Sequence, residues 1–530
     1  MNTDHTRFAA RIRAFSSLAP AAALAGNRIG LEKESLRVAP GGCIAATAHP
    51  RALGSPLTHP SITTDFSEAL IELITPALST AQAVLDELAD IHVEVYRHVG
   101  DELLWATSMP CLLAGAASIP LARYGRSNAA TMKTVYRRGL GNRYGRTMQA
   151  IAGVHFNFSF DDAFWTLYRE LDAGRGDLTA FRSESYMATI RNLQRVGWLV
   201  PYLFGASPAV CRSFVQGRET DLVAFDAYTL HYPYATSLRM GDIGYQNQKE
   251  AGTGMKASYD SLDAYLRTLT WAIETPCPIY EQIGVKVGER YEQLNANVLQ
   301  IENEYYSTVR PKQPLEWLEK PSLALRRRGI RYVELRSLDV NAYEPIGVGE
   351  EQLLFLETLM LYCLLGESPR IGAAERQAID RNQVLAAHRG REPGLRLERD
   401  GVPVPLAQWA TEILEVMEPL AELLDAGSGG PRSRVLAQQR AKVRDPDLTP
   451  SARMLAEMRA NGESFFDFAQ RVSVAHRETL AARALSPERE AQFAALAADS
   501  LRRQAEIEAA DDVDFDTFLA RYFAQGRALP

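Results

Sequence analysis

The feature that most constrains the fold is a pair of glutamates two residues apart within the partly apolar segment 29–38, Ile-Gly-Leu-Glu-Lys-Glu-Ser-Leu-Arg-Val. Because side chains point alternately to the two faces of a β-strand, this pattern predicts a strand with Glu32 and Glu34 on one face. Adjacent carboxylates repel each other and are costly unless water or a cation lies between them. One such pair by itself is also compatible with an ordinary solvated strand face.

Two later segments repeat the alternation and add candidate metal ligands. Over 332–340, the charged face carries Glu334 and Arg336. Over 153–160, three phenylalanines alternate with polar residues that include His155. A lone histidine of this kind is usually structural, but beside several carboxylates it becomes a candidate ligand. These segments therefore predict strands with one apolar face and one ligand-bearing face.

A fourth segment, residues 63–76, leaves two interpretations open. As a loop followed by a strand, it brings Asp65 and Glu72 close together, and the apolar residues around Glu72 favour this interpretation. As a helix, it would place Glu68 and Glu72 on one face at a spacing of four residues.

This ligand chemistry narrows the class of metal and reaction. Oxygen ligands with at most one imidazole favour a hard cation such as Mg²⁺ or Mn²⁺ over a structural zinc ion. Since Mg²⁺ commonly bridges to substrate phosphates, acidic ligands facing Arg336 suggest phosphoryl chemistry on a nucleotide. The sequence has no G-x-x-x-x-G-K-[ST] motif, kinase-like glycine loop or H-R-D motif, so neither a P-loop enzyme nor a protein kinase is indicated.

Segments 124–145, 233–245 and 299–312 are rich in arginine, tyrosine and glycine. This composition suits a nucleic-acid surface, but also a pocket for small carboxylates, which arginine binds in bidentate geometry. Together with the carboxylate strands, the segments favour a pocket for amino-acid substrates.

Charge and cysteine content indicate the environment. The 530 residues include 58 basic and 65 acidic side chains, a net charge of −7, which argues against a chain-wide nucleic-acid or membrane-surface binder. There is no apolar run of spanning length and no visible secretory signal. Five widely spaced cysteines are typical of reduced thiols. We therefore expect a cytoplasmic protein with no nucleic-acid or membrane partner.

Strand-like runs lie mostly in the first two thirds, and the pattern becomes mainly helical from about residue 350. This predicts an α+β fold: a catalytic sheet region over 1–350 and a mainly helical region over 351–530, packed together as one catalytic unit. An Asp-Gly pair predicts a hairpin over 395–404.

Several long, ordered motifs carry a family resemblance. They lie at 30–38, 54–59, 62–66, 108–111, 142–145, 201–208, 297–304, 334–339 and 445–453. On these motifs the chain resembles the bacterial glutamate–cysteine ligases of the gamma-proteobacterial type.

The resemblance implies a glutamine-synthetase-like fold, an antiparallel sheet forming a funnel surrounded by helices. It implies that L-glutamate and L-cysteine are joined through γ-glutamyl phosphate to γ-glutamylcysteine, the first step of glutathione biosynthesis. Mg²⁺ or Mn²⁺ is the implied cofactor and ATP the co-substrate, with feedback inhibition by glutathione.

The resemblance also implies roles for individual residues. The metal ligands would be Glu32, Glu34, Asp65, Glu72, His155 and Glu334. Arg336 would contact phosphate, and Arg137, Gln149 and Arg239 would serve substrate carboxylates or the transferred phosphate. The cysteine pocket would be lined by Phe66, Tyr136, Leu140, Tyr245 and Tyr306.

Two alternatives stay open at this point. The first is a carboxylate–amine ligase for a different amine, which would need a larger or acidic pocket. The second is a non-enzymatic helical interaction protein, which would be expected to have lost metal-facing residues; the sequence retains them all.

Overall fold

A mixed sheet-and-helix architecture is seen in the computed structural model, which describes residues 2–17, 26–172, 176–215, 219–244 and 255–526. The strands are β1 (Arg28–Val38), β2 (Ile62–Thr64), β3 (Leu70–Ile74), β4 (Leu103–Leu104), β5 (Gly153–Ser159), β6 (Ala209–Cys211), β7 (Val223–Ala224), β8 (Thr229–His231), β9 (Lys286–Val287), β10 (Arg290–Tyr291), β11 (Val309–Lys312), β12 (Tyr332–Asp339), β13 (Arg396–Arg399) and β14 (Val402–Pro405).

The main sheet has the strand order β11-β12-β5-β1-β3-β2, and β4 pairs with one end of β1. Each of these pairs is antiparallel. The long strand β1 is central, with β5 on one side and β3 on the other. The sheet therefore gathers segments that are far apart in sequence around the Glu32–Glu34 motif.

One face of this sheet is an aromatic core. Phe156, Phe158 and Phe160 of the β5 segment are almost fully buried, as alternation predicts for an apolar strand face. Phe160 packs edge-to-face on Trp165, with ring centroids 5.5 Å apart. The acidic side chains of the same strands, Glu32, Glu34 and Glu334, lie on the opposite face, whereas Lys33 of β1 is buried on the aromatic side.

Helices cover the sheet and make up most of the C-terminal third. They are α1 (Asn2–Ser17), α2 (Ala81–His98), α3 (Asn128–Tyr144), α4 (Asp162–Leu171), α5 (Leu178–Val196), α6 (Leu199–Phe204), α7 (Leu262–Glu274), α8 (Pro278–Glu281), α9 (Pro321–Arg328), α10 (Glu350–Leu365), α11 (Ala373–Arg389), α12 (Leu406–Leu424), α13 (Pro431–Arg444), α14 (Pro450–Asn461), α15 (Phe465–Ala481), α16 (Pro487–Ala510) and α17 (Phe515–Ala524).

The C-terminal helices share the core of the sheet region. Helix α10 is apolar on nearly all sides and is buried between α5, α12 and α13. Helix α15 packs on α2, and α17 packs on α3. One continuous apolar cluster extends from Phe8 to Phe493.

The predicted α+β class, the antiparallel sheet and the helical C-terminal third are confirmed. The hairpin is confirmed as β13–β14, with Asp400 and Gly401 both at positive φ in its turn. Over 63–76 the strand interpretation is correct and the helical one wrong, because β2 and β3 pair with each other here. The division at residue 350 stays a prediction. No helix in the described ranges has the length and apolar composition needed to cross a membrane.

Candidate active site

Four neighbouring strands, β12, β5, β1 and β3, bring five of the six predicted ligands onto one sheet face, and the sixth, Asp65, directly follows β2. Across the β1–β3 pairing, Glu34 lies opposite Glu72. Across the β1–β5 pairing, Glu32 lies opposite His155. Glu334 comes from β12, the next strand beyond β5. The two-residue alternation predicted from sequence, combined with this register, therefore produces one patch of acids around an imidazole.

His155 lies at the centre of this patch. Its Nδ1 is 3.1 Å from a carboxylate oxygen of Glu32 and 3.7 Å from one of Glu334. Its Nε2 is 3.9 Å from an oxygen of Glu34. One ligand atom from each of Glu32, Glu72 and His155 can be chosen so that all three lie within 4.8 Å of one another. These atoms are close enough to share one cation.

Two of the acids are held in a form that resists ionisation. Burial and the nearby carboxylate of Asp65 raise the pKa of Glu34 to about 8. The same two causes raise the pKa of Glu72 well above its usual value. Like charges in a desolvated site cannot all ionise without enough counter-charge, and the arginines near this half of the patch do not outweigh burial and repulsion.

Glu334 has the opposite environment. Burial opposes its ionisation, but Lys312 and Arg336 outweigh that effect and lower its pKa. Arg336 Nη1 donates a hydrogen bond to Glu334 at 3.0 Å, and Lys312 Nζ lies 3.3 Å from the same oxygen. The other oxygen, Oε2, is buried without a hydrogen-bond partner in the described part of the chain. Burial and Arg336 lower the pKa of His155, which favours the neutral, ligating imidazole.

The patch forms the floor of a cavity of about 390 Å³. The predicted residues that line it are Glu32, Glu34, Asp65, Glu72, Tyr136, Arg137, Leu140, Gln149, His155, Tyr306, Glu334 and Arg336. Tyr306 donates a hydrogen bond from its hydroxyl to Gln149 at 2.9 Å. Arg137 reaches over Asp65, to whose backbone oxygen its Nε donates.

Three further cations line the cavity but are not among the site residues predicted from sequence: Lys133, Arg310 and Lys312. Arg310 and Lys312 alternate on β11, and Arg310 lies opposite Glu334 across the β11–β12 pairing. The alternation of Arg310 and Lys312 was a usable signal. The sequence could not show which strand β11 would pair with.

Two further predicted residues, Arg239 and Phe66, do not line this cavity. Arg239 lines a neighbouring cavity of about 230 Å³, which shares Tyr306 and Arg336 with the first, and its Nη2 donates to the Arg336 backbone oxygen at 2.8 Å. Phe66 is buried beneath α3, where a Cβ at Gly141 would lie 3.4 Å from its ring, and it lines neither cavity. Tyr245 falls outside the described residues.

This geometry defines a class of protein. A buried floor of oxygen ligands with one imidazole can hold hard divalent cations, and surrounding lysines and arginines can hold phosphate groups. Such an arrangement is typical of metal-dependent enzymes that transfer phosphoryl groups.

Comparison with known proteins identifies the family. The model of the family described as glutamate–cysteine ligase matches residues 12–385. The glutamate–cysteine ligase of Alcanivorax borkumensis is 48% identical over 97% of this chain and 98% of its own length. That of Pseudomonas aeruginosa strain PAO1 is 47% identical over 93% of this chain and 94% of its own. The chain therefore belongs to the glutamate–cysteine ligase family.

Solved structures agree with this assignment. A crystal structure of glutamate–cysteine ligase from Francisella tularensis in complex with AMP superposes with a TM-score of 0.89, at 34% identity, covering 95% of this chain and 98% of that one. A bifunctional glutathione synthetase from Pasteurella multocida superposes with a TM-score of 0.72 at 21% identity, covering 92% of this chain and 58% of that one, and shows the shared fold.

Proposed function

We propose that this enzyme joins the γ-carboxylate of L-glutamate to the amine of L-cysteine at the expense of ATP, yielding γ-glutamylcysteine, ADP and phosphate. This is the first step of glutathione biosynthesis. The observation that carries the proposal is the juxtaposition, in a member of this family, of acids and cations around one cavity.

The chemistry requires two steps, because a carboxylate oxygen is a poor leaving group. In the first, a γ-carboxylate oxygen of glutamate attacks the γ-phosphorus of ATP, and ADP leaves. In the second, the cysteine amine attacks the acyl carbon of γ-glutamyl phosphate, phosphate leaves, and the nitrogen loses a proton. Because the acyl phosphate hydrolyses readily, a cavity that excludes water protects it.

The cofactor we propose is Mg²⁺ or Mn²⁺. The ligands would be Glu32, Glu34, Asp65, Glu72, His155 and Glu334. Two observations support the fit: the buried Oε2 of Glu334 has no hydrogen-bond partner among the described residues, and the pKa values of Glu34 and Glu72 are raised. The bound metal would neutralise charge on the β- and γ-phosphates.

Three arginines would bind the negatively charged groups of the substrates. Arg336 would hold the transferred phosphate, and the position of its guanidinium beside Glu334 in the cavity lining supports this role. Arg239, which donates to the Arg336 backbone, and Arg137, above Asp65, would bind substrate carboxylates or the same phosphate. Gln149 would share that role.

The cysteine pocket would be formed by Tyr136, Leu140 and Tyr306, with Phe66 beneath them. The family resemblance adds Tyr245, which falls outside the described residues. These side chains offer a small, polar-aromatic surface with no carboxylate among them, which suits an amine that carries its own carboxylate. The alternative, a ligase for a different amine, is tested by replacing cysteine with a panel of other amines in the assay.

The decisive assay measures phosphate release from ATP by the purified enzyme with Mg²⁺. We expect release only when L-glutamate and L-cysteine are both present, and γ-glutamylcysteine as product by mass spectrometry. Release indifferent to cysteine, or faster release with another amine, would overturn the substrate assignment.

Regulation and location complete the proposal. We expect glutathione to inhibit the enzyme, and an unchanged rate at millimolar glutathione would contradict this. We place the enzyme in the cytoplasm because all five cysteines are unpaired and four of them are buried, as expected for a reducing compartment.

A further inference from the structure

The cavity changes character between its floor and its mouth. At the floor, Glu334 is fully buried. At the mouth, residues 313–320 connect β11 to α9 and contribute Leu315 and Trp317 to the lining. Their exposed fractions are 51% and 55%. A charged, buried floor therefore opens to a mouth where apolar and aromatic side chains lie beside Glu316 and Glu319.

Along the chain from β11 through residues 313–320, the side chains change in the same order, from charged at the floor to aromatic at the mouth. Arg310 and Lys312 line the cavity from the last strand of the sheet, and Lys312 Nζ is 3.3 Å from Glu334. Trp317 follows five residues later. A nucleoside triphosphate has a matching order, with anionic phosphates at one end and a flat, weakly polar base at the other. It is also the longest of the proposed substrates, so part of it must extend outward from the floor.

Residues 313–320 are fixed in place from both sides. Glu319 accepts two hydrogen bonds from the Arg328 guanidinium, at 2.6 and 3.0 Å. The side-chain amide of Gln525, just after α17, donates to the Leu318 backbone oxygen at 3.0 Å. Leu318 itself has a φ of 58°, which a non-glycine residue adopts only when its surroundings hold it there. The aromatic side chain at the mouth is thus presented on a preformed support.

We propose that Trp317 stacks on the adenine ring of ATP and thereby sets the affinity for the nucleotide. The inference rests on the proposed function, since it takes ATP to be the substrate whose phosphates occupy the floor. A half-exposed indole that lines the same cavity as Arg310, Lys312 and Arg336 suits this role, because bases stack on aromatic side chains.

Kinetics provide the first test. Trp317→Ala should raise the KM for ATP about tenfold and leave the KM values for glutamate and cysteine within about twofold. Trp317→Tyr, which keeps an aromatic ring, should restore most of the affinity for ATP. Inorganic triphosphate, a competitor without a base, should inhibit Trp317→Ala and the unaltered enzyme equally. Trp271→Ala, which removes a similarly exposed tryptophan on α7, is the matched control.

Fluorescence provides a second test that leaves Trp317 in place. In a Trp271→Phe background, Trp317 is the one strongly exposed tryptophan, and AMP should quench its emission. An unchanged KM for ATP in Trp317→Ala, weaker inhibition by triphosphate in that variant, or no quenching by AMP would overturn the stacking role. Failure of the proposed function would look different, since the unaltered enzyme would then not couple ATP cleavage to glutamate and cysteine.

Discussion

At the residue scale, the negative charge of Glu334 balances the positive charges of Arg336 and Lys312 in the site. It is fully buried between Arg336 and Lys312. Glu334→Gln keeps the side-chain shape but removes the charge, so we expect phosphate release to fall by at least about 10²-fold with the circular dichroism spectrum unchanged. Glu289→Gln, at an exposed turn, should retain the full rate. A near-normal rate for the Glu334 variant would remove this residue from the site.

Glu34 and Glu72 give metal binding a pH dependence. In the metal-free protein both have raised pKa values, that of Glu34 about 8, so its carboxyl is protonated below that pH. A cation requires the ionised form, so Mg²⁺ or Mn²⁺ affinity should increase as pH rises through about 8, by up to about tenfold per pH unit for each displaced proton. Calorimetry in buffers of different ionisation enthalpy measures both affinity and proton release. An affinity independent of pH would contradict this account.

At the element scale, some strands could be predicted from the sequence and others could not. The alternation in β1, β5 and β12 is a local property, so it identified which side chains share a face before any partner strand was known. Around Glu72 the local pattern favours a strand but leaves a helix open, and the pairing between β2 and β3 decides for the strand. Residues 313–320 have no periodicity, and their place at the cavity mouth depends on contacts with a distant helix.

Those contacts make helix α17 a remote support of the proposed nucleotide site. Gln525 holds the Leu318 backbone next to Trp317. Losing this hydrogen bond costs about 1 kcal/mol, so Gln525→Ala should raise the KM for ATP about fivefold or less, a smaller effect than Trp317→Ala, and leave kcat unchanged. Arg521→Ala, on the exposed side of α17, is the control. An equal rise in the KM values for all three substrates would indicate general loosening of the cavity.

At the scale of the whole molecule, composition and pattern gave the fold class, because the change from strand to helix near residue 350 is visible in the sequence. They could not show how the helical third meets the sheet. Tyr522 of α17 lines the same cavity as Glu32, although nearly the whole chain separates them. Such contacts arise when the apolar surface of a helix packs on a distant part of the chain. Because many surfaces of the chain are apolar, the local sequence does not show which two will pack together.

The continuous core leads to a prediction about the boundary at residue 350. A fragment of residues 1–350 lacks α10, whose apolar side chains, such as Phe355 and Leu359, are fully buried against the rest of the chain. Burying each such side chain contributes roughly 1.5–3 kcal/mol, and a domain has only about 5–15 kcal/mol in total. We therefore expect the fragment to be insoluble or to lack a cooperative thermal transition, while the full chain melts cooperatively under the same conditions. A soluble, monodisperse fragment with a sharp melting transition would show instead that the sheet region folds independently of the helical region.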